Sequence, residues 1–252
     1  MKSHPLDGIK IRQLFSRLER SMGAQHWWPA SSPFEVVVGA YLTQNTAWTN
    51  VELAIENLRR ADVLSIEGIR ETALDELEGM VRPAGYFRQK AARLKLFVAH
   101  LDSRHGGSLE KMLAEPAQSL RDELLGLTGI GPETADSILL YAANHEVFVV
   151  DSYTRRIFQR HGLIDETTTY EEIRLAVQDA LRDAEAEAHE AAEPIELSTH
   201  APSAASRMER SPLAQSYNEF HALIVQTAKH FCVKGEPKCE HCPLKKLLPR
   251  DR

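Results

Sequence analysis

The sequence lacks any segment that is suited to crossing a membrane or to directing secretion. No apolar run approaches the roughly 18–20 residues that a transmembrane helix requires. The N-terminal segment, MKSHPLDGIKIRQLF, contains no apolar core of the kind found in signal peptides. We therefore expect a cytoplasmic protein that has no membrane partner.

Cysteine is scarce as well. The 252 residues contain only three cysteines, and all of them lie between positions 232 and 242. In a long chain that we expect to be cytoplasmic, this distribution favours a metal or cluster site over a disulfide framework.

The chain also lacks an excess of positive charge, since its formal net charge is −6. Outside one short acidic segment, however, the charge is near neutral. Basic residues cluster at Arg88, Lys90, Arg93 and Lys95 and again in the C-terminal tail. Such clusters indicate either a contact with a polyanion or simply solvated helix faces. The acidic residues that equal the whole negative excess are Asp183, Glu185, Glu187, Glu190, Glu193 and Glu196.

No β-hairpin signal and no internal repeat occurs, and apolar residues recur at helical spacing through much of the chain. We expect helices near residues 9–21, 34–43 and 90–101, joined by short connections. Residues 183–211 differ, because they are rich in Ala, Glu, Ser, Pro and His. We interpret them as a solvated helical extension that runs into a flexible linker.

Local patterns predict where several helices begin. Thr46 or Thr49 is a candidate cap for the helix that follows residue 50. Both Thr72-x-x-Asp75 and Thr169-x-x-Glu172 resemble the capping box, in which a hydroxyl and a carboxylate satisfy the first N–H groups of a helix.

The most informative stretch runs from Leu127 to Tyr153 and opens with the turn Leu127-Thr128-Gly129-Ile130-Gly131. Apolar residues precede and follow this turn at helical spacing, and Pro132 suits a first helical turn. The pattern therefore predicts a helix, a tight Gly-x-Gly turn and a second helix. The N–H groups of such a turn, at a helix N-terminus, offer a site for a phosphate group.

A single carboxylate follows the apolar run Val147-Phe148-Val149-Val150. Such a run is typical of buried chain, so Asp151 should emerge at the edge of a core. The residues from Ser152 onward can begin another helix there. Asp151 is then either the N-cap of that helix or a catalytic group.

The whole stretch resembles the helix-hairpin-helix DNA glycosylases of the endonuclease III superfamily. In that family a catalytic Asp lies eighteen positions beyond a fixed point in the second helix of the hairpin, and Asp151 lies eighteen positions after Glu133. Bifunctional members carry, at that fixed point, the Lys that forms the Schiff base of the lyase reaction. The resemblance therefore implies that Asp151 is catalytic, and Glu133 at the lyase position implies a monofunctional enzyme.

Two of the three tryptophans form the dipeptide Trp27-Trp28, which Pro29 follows. Chemistry alone favours a core position for them over a flat wall on which a base stacks. Together with Phe34-Glu35-Val36-Val37, these residues resemble the 3-methyladenine DNA glycosylase III branch. That resemblance implies that Trp27, Trp28 and Pro29 line a base pocket. His221, in a segment that resembles the same branch, is expected to be a hydrogen-bonded core residue.

Gln44 and Asn45 interrupt two predicted helices, which by itself indicates a capped loop. The resemblance implies that Asn45, with Gln44 beside it, enters the gap that an extruded base leaves in a duplex. Extrusion costs a few kcal/mol, so a polar side chain that satisfies the orphaned base is expected there. The resemblance also implies that the hairpin amides of Gly129, Ile130 and Gly131 hold a DNA phosphate.

The sequence Cys232-x6-Cys239-x2-Cys242 matches the first three ligands of the endonuclease III iron–sulfur loop, but the fourth position is Leu248. A 4Fe–4S cluster normally takes four thiolates. His241, His230, an exogenous ligand or a three-iron cluster could complete the site, and a Cys3His zinc site or an empty loop are alternatives. We expect a bound cluster with a structural role. It would hold a loop whose lysines meet phosphates, namely Lys234, Lys238, Lys245 and Lys246.

The fold that the resemblance implies is all-α, with two helical domains and a cleft between them. Residues 33–150 would form a six-helix barrel that carries the helix-hairpin-helix at 118–143. Residues 1–32 and 151–252 would form the second domain, with the insertion at 183–211 and the cysteine loop at 232–248.

The implied function is that of a monomeric base-excision-repair glycosylase, associated with the nucleoid in a bacterium. It would flip a damaged base, such as the alkylated purine 3-methyladenine, out of double-stranded DNA and hydrolyse its N-glycosidic bond. One alternative is a bifunctional glycosylase and AP lyase for oxidised or deaminated bases, with a lysine such as Lys229 as nucleophile. Another is a DNA-binding module without catalysis.

Overall fold

The computed structural model describes residues 6–182, 195 and 202–249, and within these ranges it contains helices and no strand. The predicted all-α fold class is confirmed. Most of the acidic extension predicted at 183–211 lies outside the described residues. The α-helices of the described part are α1 (Gly8–Met22), α2 (Pro33–Leu42), α3 (Trp48–Arg60), α4 (Ile66–Glu71), α5 (Leu74–Val81), α6 (Phe87–His105), α7 (Leu109–Leu113), α8 (Ala117–Leu125), α9 (Pro132–Tyr141), α10 (Ser152–Arg160), α11 (Tyr170–Arg182) and α12 (Pro212–His230).

The chain divides into two compact units. One, here called the terminal unit, comprises Met1–Pro29, Glu146–Ser203 and Glu209–Arg252. The other, the hairpin unit, comprises Ala30–His145 and Ala204–Met208. None of the helices in the described part of the chain is both long and apolar enough to cross a bilayer.

The terminal unit is organised around α12. Helix α12 packs against α1 and α10, and α1 also packs against α11. At the centre lies Phe220, whose ring centroid is 5.1 Å from that of Phe15, 5.6 Å from that of Phe148 and 6.4 Å from that of Phe158. Phe148 belongs to the apolar run before Asp151, so the predicted burial of that run is confirmed.

The hairpin unit has α2 in its core. Nearly every residue of α2 is buried, and the helix packs against α3, α6 and α9. Helices α8 and α9 are the two helices of the predicted helix-turn-helix. They are joined by a buried ion pair, in which Nε of Arg121 donates to Oδ1 of Asp136 at 2.7 Å and Nη2 donates to Oδ2 at 3.2 Å.

One capping box is confirmed. The Thr169 N–H donates to Oε2 of Glu172 at 2.7 Å, and the Glu172 N–H donates to Oγ1 of Thr169 at 3.2 Å. The prediction at Thr72 is wrong. Helix α5 begins after Ala73, and the Thr72 hydroxyl instead donates to the Gly68 carbonyl at 2.7 Å, because it follows the end of α4.

The predicted cap of α3 is also wrong. Helix α3 begins after Ala47, whose backbone is extended, and no side chain caps it. Thr46 instead accepts a hydrogen bond from the Asn50 side chain at 3.0 Å.

Part of the predicted flexible linker is folded. Ala205–Arg207 forms one turn of 3-10 helix, and Ala205 is buried, with its N–H donating to the Ala30 carbonyl at 3.0 Å. The Ser203 hydroxyl donates to the Trp28 carbonyl at 2.7 Å. The small side chains of Ser203 and Ala205 permit this close backbone approach. The segment has little apolar content, so the sequence predicted a flexible linker instead.

Candidate functional site

Asp151 occupies the position between the buried apolar run and α10. It is the N-cap of α10, and its Oδ1 accepts hydrogen bonds from the Thr154 N–H at 2.7 Å and the Thr154 hydroxyl at 2.9 Å. The predicted capping role is therefore confirmed. Capping uses one carboxylate oxygen, however, and a carboxylate offers about four acceptor positions. The cap thus leaves Asp151 able to act in chemistry.

The other carboxylate oxygen of Asp151 faces α12, where Nε2 of His221 lies 3.5 Å from Oδ2. The Asp151 side chain is 11 % exposed. Burial tends to raise the pKa of this carboxyl, but the nearby imidazole of His221, together with the two Thr154 bonds, outweighs it. The pKa of Asp151 consequently lies below its usual value. The site therefore holds a carboxylate that is nearly enclosed and still ionised.

Sequence reasoning placed His221 in the core, and burial confirms this. It missed the contact with Asp151, because nothing local links residues that lie so far apart in the chain. Thr154 was also missed, although the Asp-x-x-Thr spacing at a helix start is a signal that could have identified it.

Asn218 lies one turn before His221 on α12 and is 1 % exposed. Among the described residues, neither atom of its side-chain amide has a hydrogen-bond partner. Buried amides normally have partners, so this one is a candidate ligand-binding group. Asn218 lies in the same segment as His221, which resembles the 3-methyladenine DNA glycosylase III branch, but no local pattern singled out its amide.

The predicted base-pocket residues lie in the same unit. Trp27 and Trp28 are each 5 % exposed, with ring centroids 5.6 Å apart, and Pro29 is half-buried. Nζ of the exposed Lys229 lies 6.0 Å from the centroid of the Trp27 ring. The core position that chemistry favoured is what the structure shows, and the pocket role stays a prediction.

In the hairpin unit, Gln44 is tied to the hairpin by its side-chain amide. Its Nε2 donates to the Gly129 carbonyl at 2.9 Å and to Oγ1 of Thr134 at 3.0 Å, while its Oε1 accepts from Arg93 at 3.0 Å. Both atoms of the Gln44 amide are thus hydrogen-bonded within the hairpin unit. Next to it, Asn45 is exposed with a φ of +54°. Asn45 remains the predicted intercalating residue.

The hairpin turn closes with a hydrogen bond from the Ile130 N–H to the Leu127 carbonyl at 3.2 Å. The Ile130 amide, predicted to bind phosphate, is therefore engaged within the turn, and its side chain is buried. Gly131 is exposed and is the N-cap of α9, and Gly129 has a φ of +85°. The phosphate prediction thus rests on the two glycines.

Glu133, at the predicted lyase position, is exposed in the first turn of α9. A carboxylate is favourable there because the N-terminus of a helix carries partial positive charge.

Most side chains of the basic cluster, Arg88, Lys90, Arg93 and Lys95, are buried or half-buried and so are not freely available to a polyanion. Lys90 is 2 % exposed, and its Nζ donates to the carbonyls of Leu42, Gln44 and Ala84 at 2.9, 2.8 and 2.7 Å. Burial and the nearby charge of Arg93 lower the pKa of Lys90 to about 8. Within this cluster, only Arg88 is exposed. The lysines of the C-terminal tail, Lys234, Lys238, Lys245 and Lys246, are all exposed as expected.

The three cysteines line one pocket of the terminal unit. Leu248 lines the same pocket, so its apolar side chain stands where a fourth thiolate was sought. His161 also lines it, and His161 Nδ1 lies 3.2 Å from the Leu247 carbonyl oxygen. Neither His230 nor His241, the candidates from the sequence, is among the lining residues.

Three sulfurs and the His161 ring line this pocket, but no three of their ligand atoms lie within 4.8 Å of one another, so these side chains would have to move to hold a metal together. Nη1 of Arg160 lies 3.2 Å from Sγ of Cys232. Burial raises the pKa of the Cys242 thiol to about 11. His161 was missed because it lies far from the cysteines in the sequence.

Comparison with known families decides the identity. Residues 38–183 match the family described as HhH-GPD superfamily base excision DNA repair protein. The chain belongs to the HhH-GPD superfamily. The match spans both the hairpin and Asp151, and the predicted family is confirmed.

Individual relatives agree. This HhH-GPD chain is 40 % identical over 238 residues to a protein of Methanocaldococcus jannaschii that is named as an inferred DNA repair glycosylase, covering 94 % of each chain. It is similar to the crystal structure of the Helicobacter pylori 3-methyladenine DNA glycosylase MagIII bound to 1,N6-ethenoadenine. There the TM-score is 0.67 and the identity 31 %, covering 89 % of this chain and 98 % of that one.

A non-covalent endonuclease III–DNA complex shares the fold, with a TM-score of 0.70 and 19 % identity, covering 96 % of this chain and 95 % of that one. The HhH-GPD protein is accordingly a base-excision-repair DNA glycosylase whose partner is DNA.

Proposed function

We propose that this HhH-GPD protein is a monofunctional glycosylase that hydrolyses the N-glycosidic bond of an alkylated purine, with Asp151 as the catalytic carboxylate. The observation that carries the proposal is the state of Asp151, which is almost enclosed and yet kept ionised by Thr154 and His221. Capping α10 uses Oδ1 of Asp151 and does not require the His221 contact on Oδ2, so that contact is available to support catalysis.

The chemistry follows from where charge develops. Cleavage of an N-glycosidic bond builds positive charge on the sugar, as in glycoside hydrolysis. An ionised carboxylate stabilises that charge and can orient or deprotonate the attacking water. Because the Asp151 carboxylate is screened little by solvent, its interaction with an oxocarbenium-like sugar would be stronger than in water.

The proposed substrate class rests on groups in the same unit as Asp151. An alkylated purine is electron-poor and already a good leaving group, so it needs stacking more than acid catalysis. Trp27 and Trp28 supply aromatic faces, provided that one ring becomes accessible when DNA binds. The buried amide of Asn218 can supply a hydrogen bond to the base or the sugar. The 31 % identity to MagIII, crystallised with 1,N6-ethenoadenine, supports the same class.

The proposed DNA grip lies in the hairpin unit. The amides of Gly129 and Gly131 would hold a backbone phosphate and fix the register without reading sequence. Asn45, exposed beside the anchored Gln44, would fill the space left by the extruded base.

A second candidate is a bifunctional glycosylase and AP lyase. The observation that favours it is Lys229, whose ammonium lies beside Trp27 in the terminal unit. The first proposal expects no Schiff base, because Glu133 occupies the lyase position. Borohydride reduction during turnover separates the two, since a covalent protein–DNA adduct supports the lyase and its absence supports simple hydrolysis.

For the cysteine loop, we propose a metal centre held by Cys232, Cys239, Cys242 and His161. A bound iron–sulfur cluster or zinc ion would hold the loop that carries the exposed tail lysines, and it would take no part in the bond cleavage. Iron, sulfide and zinc analysis of the protein purified without oxygen identifies the group. His161→Asn should lose most of the bound metal, while His230→Asn, an exposed neighbour, should keep it. Equal metal content in both variants would contradict the His161 assignment.

The test of the substrate is base release from a set of oligonucleotides that carry alkylated, deaminated or oxidised bases. The proposal expects release of alkylated purines with an intact strand until alkali is added. Preferential release of oxidised pyrimidines, with direct strand cleavage, would favour the second candidate.

A further inference from the structure

Two histidines near the end of α6 and one glutamate of α8 bring three metal-ligating atoms together in the hairpin unit. Nε2 of His100 lies 2.6 Å from Oε1 of Glu123, and Nε2 of His105 lies 2.7 Å from the same oxygen. The ligand atoms of all three side chains lie within 4.8 Å of one another. These residues have no role in the function proposed above.

The donor set suits a borderline divalent cation. Imidazole nitrogen and carboxylate oxygen bind zinc at about 2.0–2.2 Å, so neighbouring donors of a tetrahedral site lie about 3.3 Å apart. The observed separations of 2.6 and 2.7 Å would have to open by roughly 0.6 Å. Side-chain rotations would have to supply this opening.

None of the three side chains is completely buried. The side chains of His100, His105 and Glu123 are 22, 9 and 12 % exposed.

We propose that His100, His105 and Glu123 form a divalent-metal site, best suited to zinc, that fastens the end of α6 to α8. The site would lie between two helices that support the hairpin. Helix α8 is the first helix of the hairpin and is joined to α9 by the Arg121–Asp136 ion pair. Helix α6 carries Arg93, which bonds Gln44 beside the hairpin turn. A bound ion would therefore stiffen the two supports of the hairpin.

The alternative is a metal-free cluster in which both imidazoles donate to one carboxylate. Cobalt titration of the full chain separates the two, because cobalt bound to nitrogen and oxygen gives visible absorption without the charge-transfer band of a thiolate site. The proposal expects one equivalent of such thiolate-free cobalt. Zinc should displace it and should raise the unfolding temperature of the protein.

Glu123→Gln and His105→Asn are the decisive variants. Each should weaken this cobalt binding by more than about 100-fold, since even the loss of an outer-shell partner costs roughly 10–100-fold. His145→Asn is the matched control, because His145 is a partly buried histidine of the same unit that bonds the Glu115 carbonyl at 3.0 Å. It should bind cobalt as the parent does.

Three results would overturn the proposal. They are the absence of thiolate-free cobalt binding in the parent protein, unchanged binding in Glu123→Gln, and equal loss in His145→Asn. If one decisive variant does not fold, as judged by circular dichroism, the other variant and the parent spectrum still decide.

Discussion

Replacing Gly129 by alanine tests how the hairpin is built. A Cβ at this position would lie 2.5 Å from both Cδ and Cζ of Arg93 and closer still to its Nε. The φ of +85° adds backbone strain for any residue with a Cβ. Arg93 would have to move, and its bond to Gln44 would be lost. Strain of this kind costs about 1–3 kcal/mol.

We therefore expect Gly129→Ala to lower the free energy of unfolding by about 1–3 kcal/mol. DNA affinity should fall by about tenfold or more, since 1.4 kcal/mol of lost binding is a factor of ten. Urea unfolding and fluorescence anisotropy with a labelled duplex measure the two effects. For the unfolding measurement the control is Gly131→Ala, because Gly131 has a φ of −102° and a Cβ there would meet nothing within 4 Å. If both variants behave alike, the reasoning from Arg93 is wrong.

Two further predictions concern buried charges. Lys90→Met leaves three buried carbonyls without their donor, which should cost about 3–6 kcal/mol in urea unfolding, whereas Arg88→Met on the exposed side of α6 should cost less than about 0.5 kcal/mol. A similar cost for both would contradict the assigned role of Lys90. The pKa of Asp151 in the folded protein lies below the usual Asp value of about 3.9. Its carboxylate is therefore fully charged above that value, and the charge is lost only as the pH falls through the lower folded pKa. His221→Gln should raise the pKa of Asp151 and move the acid limb of the excision rate to higher pH, and an unmoved limb would show that His221 does not act on Asp151.

Much of the fold could be predicted from the sequence, because it depends on local patterns. Apolar spacing located α1, α2 and α6, and the Gly-x-Gly turn located the hairpin. The run of four apolar residues correctly placed Asp151 at the edge of a core. These features depend on a few neighbouring residues, whose preferences act over one or two turns.

Contacts between distant segments could not be predicted. Nothing near Lys90 in the sequence shows that it lies beneath three carbonyls, so a basic cluster was expected to be exposed. Nothing near Gln44 in the sequence shows that its amide bonds Gly129 and Thr134, and its predicted place beside the gap in a duplex stays a prediction. His221 and His161 were not connected with Asp151 and the cysteines for the same reason. Periodicity shows which face of a helix is buried, but not what that face meets.

The central claim is that an ionised Asp151 is the catalytic group, and Asp151→Asn tests it most directly. Asparagine caps helices about as well as aspartate, so α10 and the fold should be kept. The variant should bind a duplex with an alkylated purine as tightly as the parent, and its single-turnover rate of base release should fall by about 10²–10⁴-fold. Base release at the parent rate by this correctly folded variant would contradict the claim.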